Sequence, residues 1–126
     1  MPLLTFSADF GIDAPDADAF AEAVAEHYAE EMQTETGHVA VSVDADPENH
    51  LWLGRSTGGR HLFLDADVRR GRDQAQKRAF ALAVIDLAGE HFDVPEANAK
   101  VVFTEHEGPQ MMGANRVGGE WSPEEE

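Results

Sequence analysis

Two stretches of this chain repeat one order of elements, strand–helix–strand, and that doubling limits the folds open to it. The first stretch begins with "PLLTFSA", where Leu4 and Phe6 fall on one face and Leu3, Thr5 and Ser7 on the other. A helix is predicted from roughly Asp16 to Gln33, with Phe20, Val24, Tyr28 and Met32 as its apolar stripe. Asp13 or Asp16 supplies its cap, and Pro15 is tolerated in the first turn. "HVAVSVDA" alternates as a strand, with Val39, Val41 and Val43 inward. "LWLG" is predicted as a short strand, and Gly58-Gly59 as the hairpin turn leading into the strand "RHLFLDAD". The second helix runs from roughly Asp73 to Phe92, opened by Asp73 and Gln76 at capping-box spacing, and "AKVVFTE" is the last full strand.

A strand joined through a helix to its sheet neighbour is normally parallel to it, with a right-handed crossover. The predicted fold is therefore α/β (α+β). Two consecutive β-α-β units, about residues 2–44 and 60–105, form one four-stranded mixed sheet with two helices on one face. Residues 1–126 are read as a single domain, with 106–126 as a Gly-rich tail. The second sheet face is left bare, which calls for an oligomer to cover it.

Composition excludes several chemistries. The chain has no cysteine, so it has no disulfide, zinc-thiolate site or thiol nucleophile. No apolar run nears the roughly 20 residues of a membrane span, and no signal peptide is evident, so a cytoplasmic location is expected. Acidic residues number 25 against 9 basic ones, a formal net charge of −16 that repels nucleic acid and anionic membranes. Abundant acid with only two lysines, Lys77 and Lys100, suggests a halophilic protein whose self-repulsion salt would screen.

Against that background Arg69, Arg70 and Arg72 concentrate positive charge in "DADVRRGRD". Guanidinium pairs before a helix suit a carboxylate, through bidentate bonds and the free N–H groups of the helix start. The plain alternative is a surface ion-pair cluster with Asp65, Asp67 and Asp73. "EHE" at 105–107 is expected to put Glu105 and Glu107 on one strand face, too little for a metal site. No Gly-rich phosphate fingerprint is present, so no cofactor is expected. Pro2, directly after Met1, is either a strand starter or something the chemistry needs.

The segments "MPLLTF", "LWLG", "LFLDADVRRGRDQAQKRA" and "VVFTEHEGPQMMGANR", with the trailing Trp121, resemble the tautomerase superfamily over nearly the whole chain. Within it the chain is most similar to the cis-3-chloroacrylic acid dehalogenase subgroup, and so to enzymes of the 4-oxalocrotonate tautomerase type. The resemblance implies that Met1 is removed and that the freed Pro2 amine acts as acid or base. It implies that Arg69 and Arg72 hold a substrate carboxylate, and that a helix-one residue, Tyr28 or His27, assists. It also implies a homotrimer. Two positions depart from the family pattern. The late tyrosine falls on Val102 and the water-activating glutamate on Gly113. Glycine cannot activate water, so hydration or dehalogenation by the family route would need Glu105 or Glu107 instead.

The chemistry is consistent with such residues. A keto–enol shift needs one group that takes and returns a proton near neutral pH. A free α-amine ordinarily titrates at about 7.7–8.0. Proline's secondary amine is more basic, and guanidinium charge with an apolar pocket would lower it. The expected activity is a cofactor-independent isomerase of a small 2-keto or 2-hydroxy-dienoic carboxylic acid. The alternatives are a hydratase or dehalogenase of 3-substituted acrylates and a non-enzymatic oligomeric binding module.

Overall fold

The computed structural model describes residues 1–114, 116–117 and 121–123. Strand β1 spans Leu3–Ala8, helix α1 Ala14–Glu31 and strand β2 Ala40–Ala45. Strand β3 spans Leu62–Arg69, helix α2 Gln74–Phe92 and strand β4 Ala99–His106. Met112–Gly113 (β5) and Arg116–Val117 (β6) form a small separate ribbon. The sheet order is β2-β1-β3-β4, with β1–β2 and β3–β4 parallel and β1–β3 antiparallel. This is the doubled β-α-β arrangement, a four-stranded mixed sheet with two helices.

Local chemistry sets the helix ends. The Asp13 carboxylate accepts from the Asp16 N–H at 3.0 Å, so α1 starts before the Asp16 expected from sequence, with Pro15 in its first turn. Asp73 caps α2 in a full capping box: its carboxylate accepts from the Gln76 N–H at 2.8 Å, and the Gln76 side chain accepts from the Asp73 N–H at 3.1 Å.

The core lies between sheet and helices. Leu4, Phe6 and Ala8 of β1 and Leu62, Leu64, Ala66 and Val68 of β3 are buried there. Val39, Val41 and Val43 pack against it, although Val39 precedes β2. The opposite sheet face carries Leu3 and Val102, each almost half exposed.

The segment "LWLG" is not a strand. Residues 51–53 lie in a long connection from β2 to β3, and Trp52 points into solvent. Gly58 and Gly59 both take positive φ but turn a loop rather than a hairpin. The reason is visible in the hydrogen bonds. The fully buried Asn98 side chain accepts from the Thr57 N–H at 3.0 Å and donates to the carbonyls of Gly58 at 2.7 Å and Arg60 at 3.0 Å. These backbone groups are thus satisfied by a side chain and need no partner strand. His61 anchors the end of the connection, its ring Nδ1 and backbone N–H each 2.8 Å from the Asp9 carboxylate.

Phe80 joins both helices and the sheet. It is fully buried, edge-on to Tyr28 of α1 at 5.0 Å and to Phe103 of β4 at 6.4 Å between centroids. Phe80→Ala is expected to cost about 3–5 kcal/mol of stability, read from urea unfolding midpoints.

Candidate active site

Pro2 stands at the start of β1, where a missing N–H breaks no ladder. Its carbonyl accepts from the Ala40 N–H at 3.0 Å, and the residue is buried. The register pairs Leu3 with Ala40 on one side and with Asp67 on the other. Pro2 therefore sits at the end of the sheet where β3 and β4 finish.

A cavity of about 520 Å³ opens there, lined by Pro2, Asp67, His106, Gln110, Met111 and Met112 among others. Gly113 approaches the same end of the chain, since a Cβ built on it would lie 3.0 Å from the Met1 Cε. Met111 and Met112 thus serve as pocket walls.

Arg69 and Arg72 are buried, at 6% and 7% exposure, not surface residues. The Arg72 Nε donates to the Met32 carbonyl at 2.7 Å, at the end of α1. The last turn of α1 carries no basic residue of its own, so this guanidinium supplies the cation favoured by a helix C-terminus. Its face is covered by Trp121 at 4.7 Å and Tyr28 at 5.6 Å from the ring centroids. The tail is fastened here. The Trp121 N–H donates to the Arg70 carbonyl at 2.8 Å, and its indole N–H donates to Gln33 O at 3.3 Å. Gly71, at φ 126°, makes this possible, because any Cβ there would overlap the Trp121 carbonyl. Arg70 is the surface residue of the trio, 3.8 Å from Glu107.

Tyr28 lies fully buried beside the two arginines, and its hydroxyl has no hydrogen-bond partner among the described residues. His27, one residue earlier on α1, is half-buried. Tyr28 thus shares a cluster with Arg69 and Arg72, while none of the three, nor His27, is in the lining of the Pro2 cavity. Asp67 has a histidine partner. Its carboxylate takes the His106 Nε2 at 2.8 Å. Glu105 pairs with Lys77 at 3.5 Å, and Glu107 lies beyond the end of β4, so the two glutamates do not share a strand face. Val102 is on the exposed sheet face, away from the cavity lining. Among the described residues no group of acidic or histidine side chains is arranged to hold a metal, and no helix is long and apolar enough to cross a membrane.

Asp67 and His106 line the Pro2 cavity, a placement that sequence reading missed. The alternation of "LFLDADVR" puts Asp67 on the face opposite Leu64 and Ala66, which was a readable signal. Its pairing with His106 depends on the β3–β4 register, which sets Asp67 opposite Thr104 and His106 opposite Arg69, leaving the two as diagonal neighbours.

The sequence matches no protein-family model and no curated protein. Solved structures are similar. One is N1, a member of the cis-3-chloroacrylic acid dehalogenase family, at 20% identity and TM-score 0.82 over 94% of this chain and 84% of that one. Another is Pt0534 inactivated by 2-oxo-3-pentynoate, at 20% identity and TM-score 0.78 over 91% and 94%. A third is MIF2 of Leishmania major, at 13% identity and TM-score 0.77 over 93% and 96%. The chain therefore has the tautomerase-like α+β fold.

Burial pushes the Tyr28 phenol up to about 12, against the opposing pull of Arg72 and Arg69. The folded chain keeps this proton above pH 10, where an unfolded chain releases it. Folded protein thus binds more protons in that window, and stability falls as pH rises from about 10 to about 12. Tyr28 is the only tyrosine, so ultraviolet titration reads it alone. Folded protein is expected to show no phenolate band at pH 10; a full band there contradicts the buried placement.

Proposed function

We propose that the protein is a cofactor-independent tautomerase acting on a small 2-keto or 2-hydroxy-dienoic carboxylic acid. After removal of Met1, the Pro2 secondary amine is the general base and acid that moves the proton at carbon. The observation that carries this reading is that Pro2 lines a cavity at the open end of a tautomerase-like sheet. Arg69 and Arg72 bind the carboxylate and stabilise the developing enolate. Trp121 lies over Arg72, so the carboxylate reaches that guanidinium when the indole moves aside. Of the two α1 candidates, Tyr28 is buried beside both arginines, with no hydrogen-bond partner for its hydroxyl among the described residues, whereas His27 is half-exposed, so Tyr28 is the one that assists at the carboxylate-binding pair. Hydratase or dehalogenase chemistry is the lesser reading, because Gly113 offers no carboxylate near the amino end. The bare sheet face is covered by two further copies of the chain in a homotrimer.

Intact mass is expected to lack one methionine, and Pro2→Ala is expected to lower ketonisation of phenylenolpyruvate at least about 100-fold. A chain that keeps Met1, or equal rates for Pro2→Ala and the parent, leaves a binding module as the better reading. Light scattering in high salt is expected to give the mass of three chains; a single-chain mass rules out the trimer.

A further inference from the structure

The Pro2 cavity has a hydrogen-bonded aspartate–histidine pair in its lining. Among its described lining residues, the titratable side chains are Asp67 and His106, joined at 2.8 Å. Tyr28, His27, Glu105 and Glu107 are not in that lining. A carboxylate only accepts hydrogen bonds, so the His106 Nε2 carries the proton of this contact. In the neutral ring Nδ1 is then the nitrogen without a proton, free to accept one. The His106 and Asp67 side chains are 35% and 29% exposed, at the end of the sheet where the cavity lies. The other Asp–His pair differs on that point. Asp9 and His61 are 17% and 11% exposed, and Asp9 also takes the His61 backbone N–H, which fits a clamp between β1 and β3.

We propose that His106, oriented by Asp67, is the second proton carrier of this cavity and acts on the substrate oxygen while Pro2 acts on carbon. The proposal rests on the Pro2 reading above and deepens it. In ketonisation of an enol acid, the His106 Nδ1 takes the enol O–H proton and the C2=O bond forms. The C2=C3 electron pair takes a proton from the Pro2 ammonium at C3. Pro2 ends neutral and His106 protonated, and exchange with water restores both. The reverse direction uses the same two groups with their protons interchanged. His106 is the catalytic residue and Asp67 its positioning residue. The substrate class is a 2-keto acid with a C3–H, small enough for a cavity of about 520 Å³.

The test uses the full chain processed to Pro2, with phenylenolpyruvate as substrate and 2-oxo-3-pentynoate as a covalent probe of the amine. His106→Gln is expected to lower kcat at least about 100-fold, with KM within about threefold and Pro2 still labelled by the probe. Asp67→Asn is expected to lower kcat by less, again with labelling retained. Added imidazole is expected to restore part of the kcat of His106→Ala, which a merely structural histidine would not allow. Parental kcat in both His106→Gln and Asp67→Asn, alongside an inactive Pro2→Ala, overturns this proposal and leaves the Pro2 reading standing. A His106→Ala protein that is folded by circular dichroism, inactive and unmoved by imidazole also overturns it. A parent chain that neither turns over the enol nor is labelled at Pro2 overturns both.

Discussion

The antiparallel pairing of β1 with β3 is the contact on which the rest of this structure depends. Each β-α-β half contributes two parallel strands, and neither half can bury both edges of its first strand alone. Joining them through β1 and β3 makes one sheet and one continuous core under both helices. It also runs the two first strands in opposite directions, so the start of one meets the end of the other. Leu3 stands opposite Asp67, which brings the amino end beside the last residues of β3. The parallel register of β4 then adds His106 at the same end. The cavity at Pro2 is thus a product of sheet topology more than of any local motif.

Arg72 shows how a charge can be kept inside such a small fold. Burying a guanidinium is costly unless its donors and its charge are both answered. Here the end of α1 offers a carbonyl and a partial negative charge, and two aromatic faces offer their quadrupoles. The same contacts tie α1, the loop before α2 and the tail residue Trp121 into one unit. These structural contacts occupy one edge and the face of the guanidinium.

Much of this was legible in the residue pattern. The alternation in β1 and β3, the four-residue stripe of α1 and the capping box of α2 report local geometry directly. The failures share a different cause. "LWLG" looks strand-like, but Asn98, some 40 residues on, satisfies the backbone of the connection that follows it. Asp67 looks like an arginine partner because Arg69 is near in sequence, while its histidine partner arrives through strand register. Trp121 sits in a Gly-rich tail that carries no periodicity, and its dock on Gly71 is a steric fit between positions fifty residues apart. Local chemistry can be read from neighbours along the chain; these three contacts join residues some 40 to 90 positions apart or meet through strand register.

The docking of Trp121 has a spectroscopic consequence. The chain has two tryptophans, one lying open in the β2–β3 connection and one buried against a guanidinium. The exposed indole emits from a water-like setting and is accessible to a soluble quencher. The buried one is shielded, and its emission responds to the positive charge stacked on its ring. The protein thus carries an internal reference and an internal sensor for the same measurement. Departure of the tail from the arginine loop would change the second signal and leave the first in place.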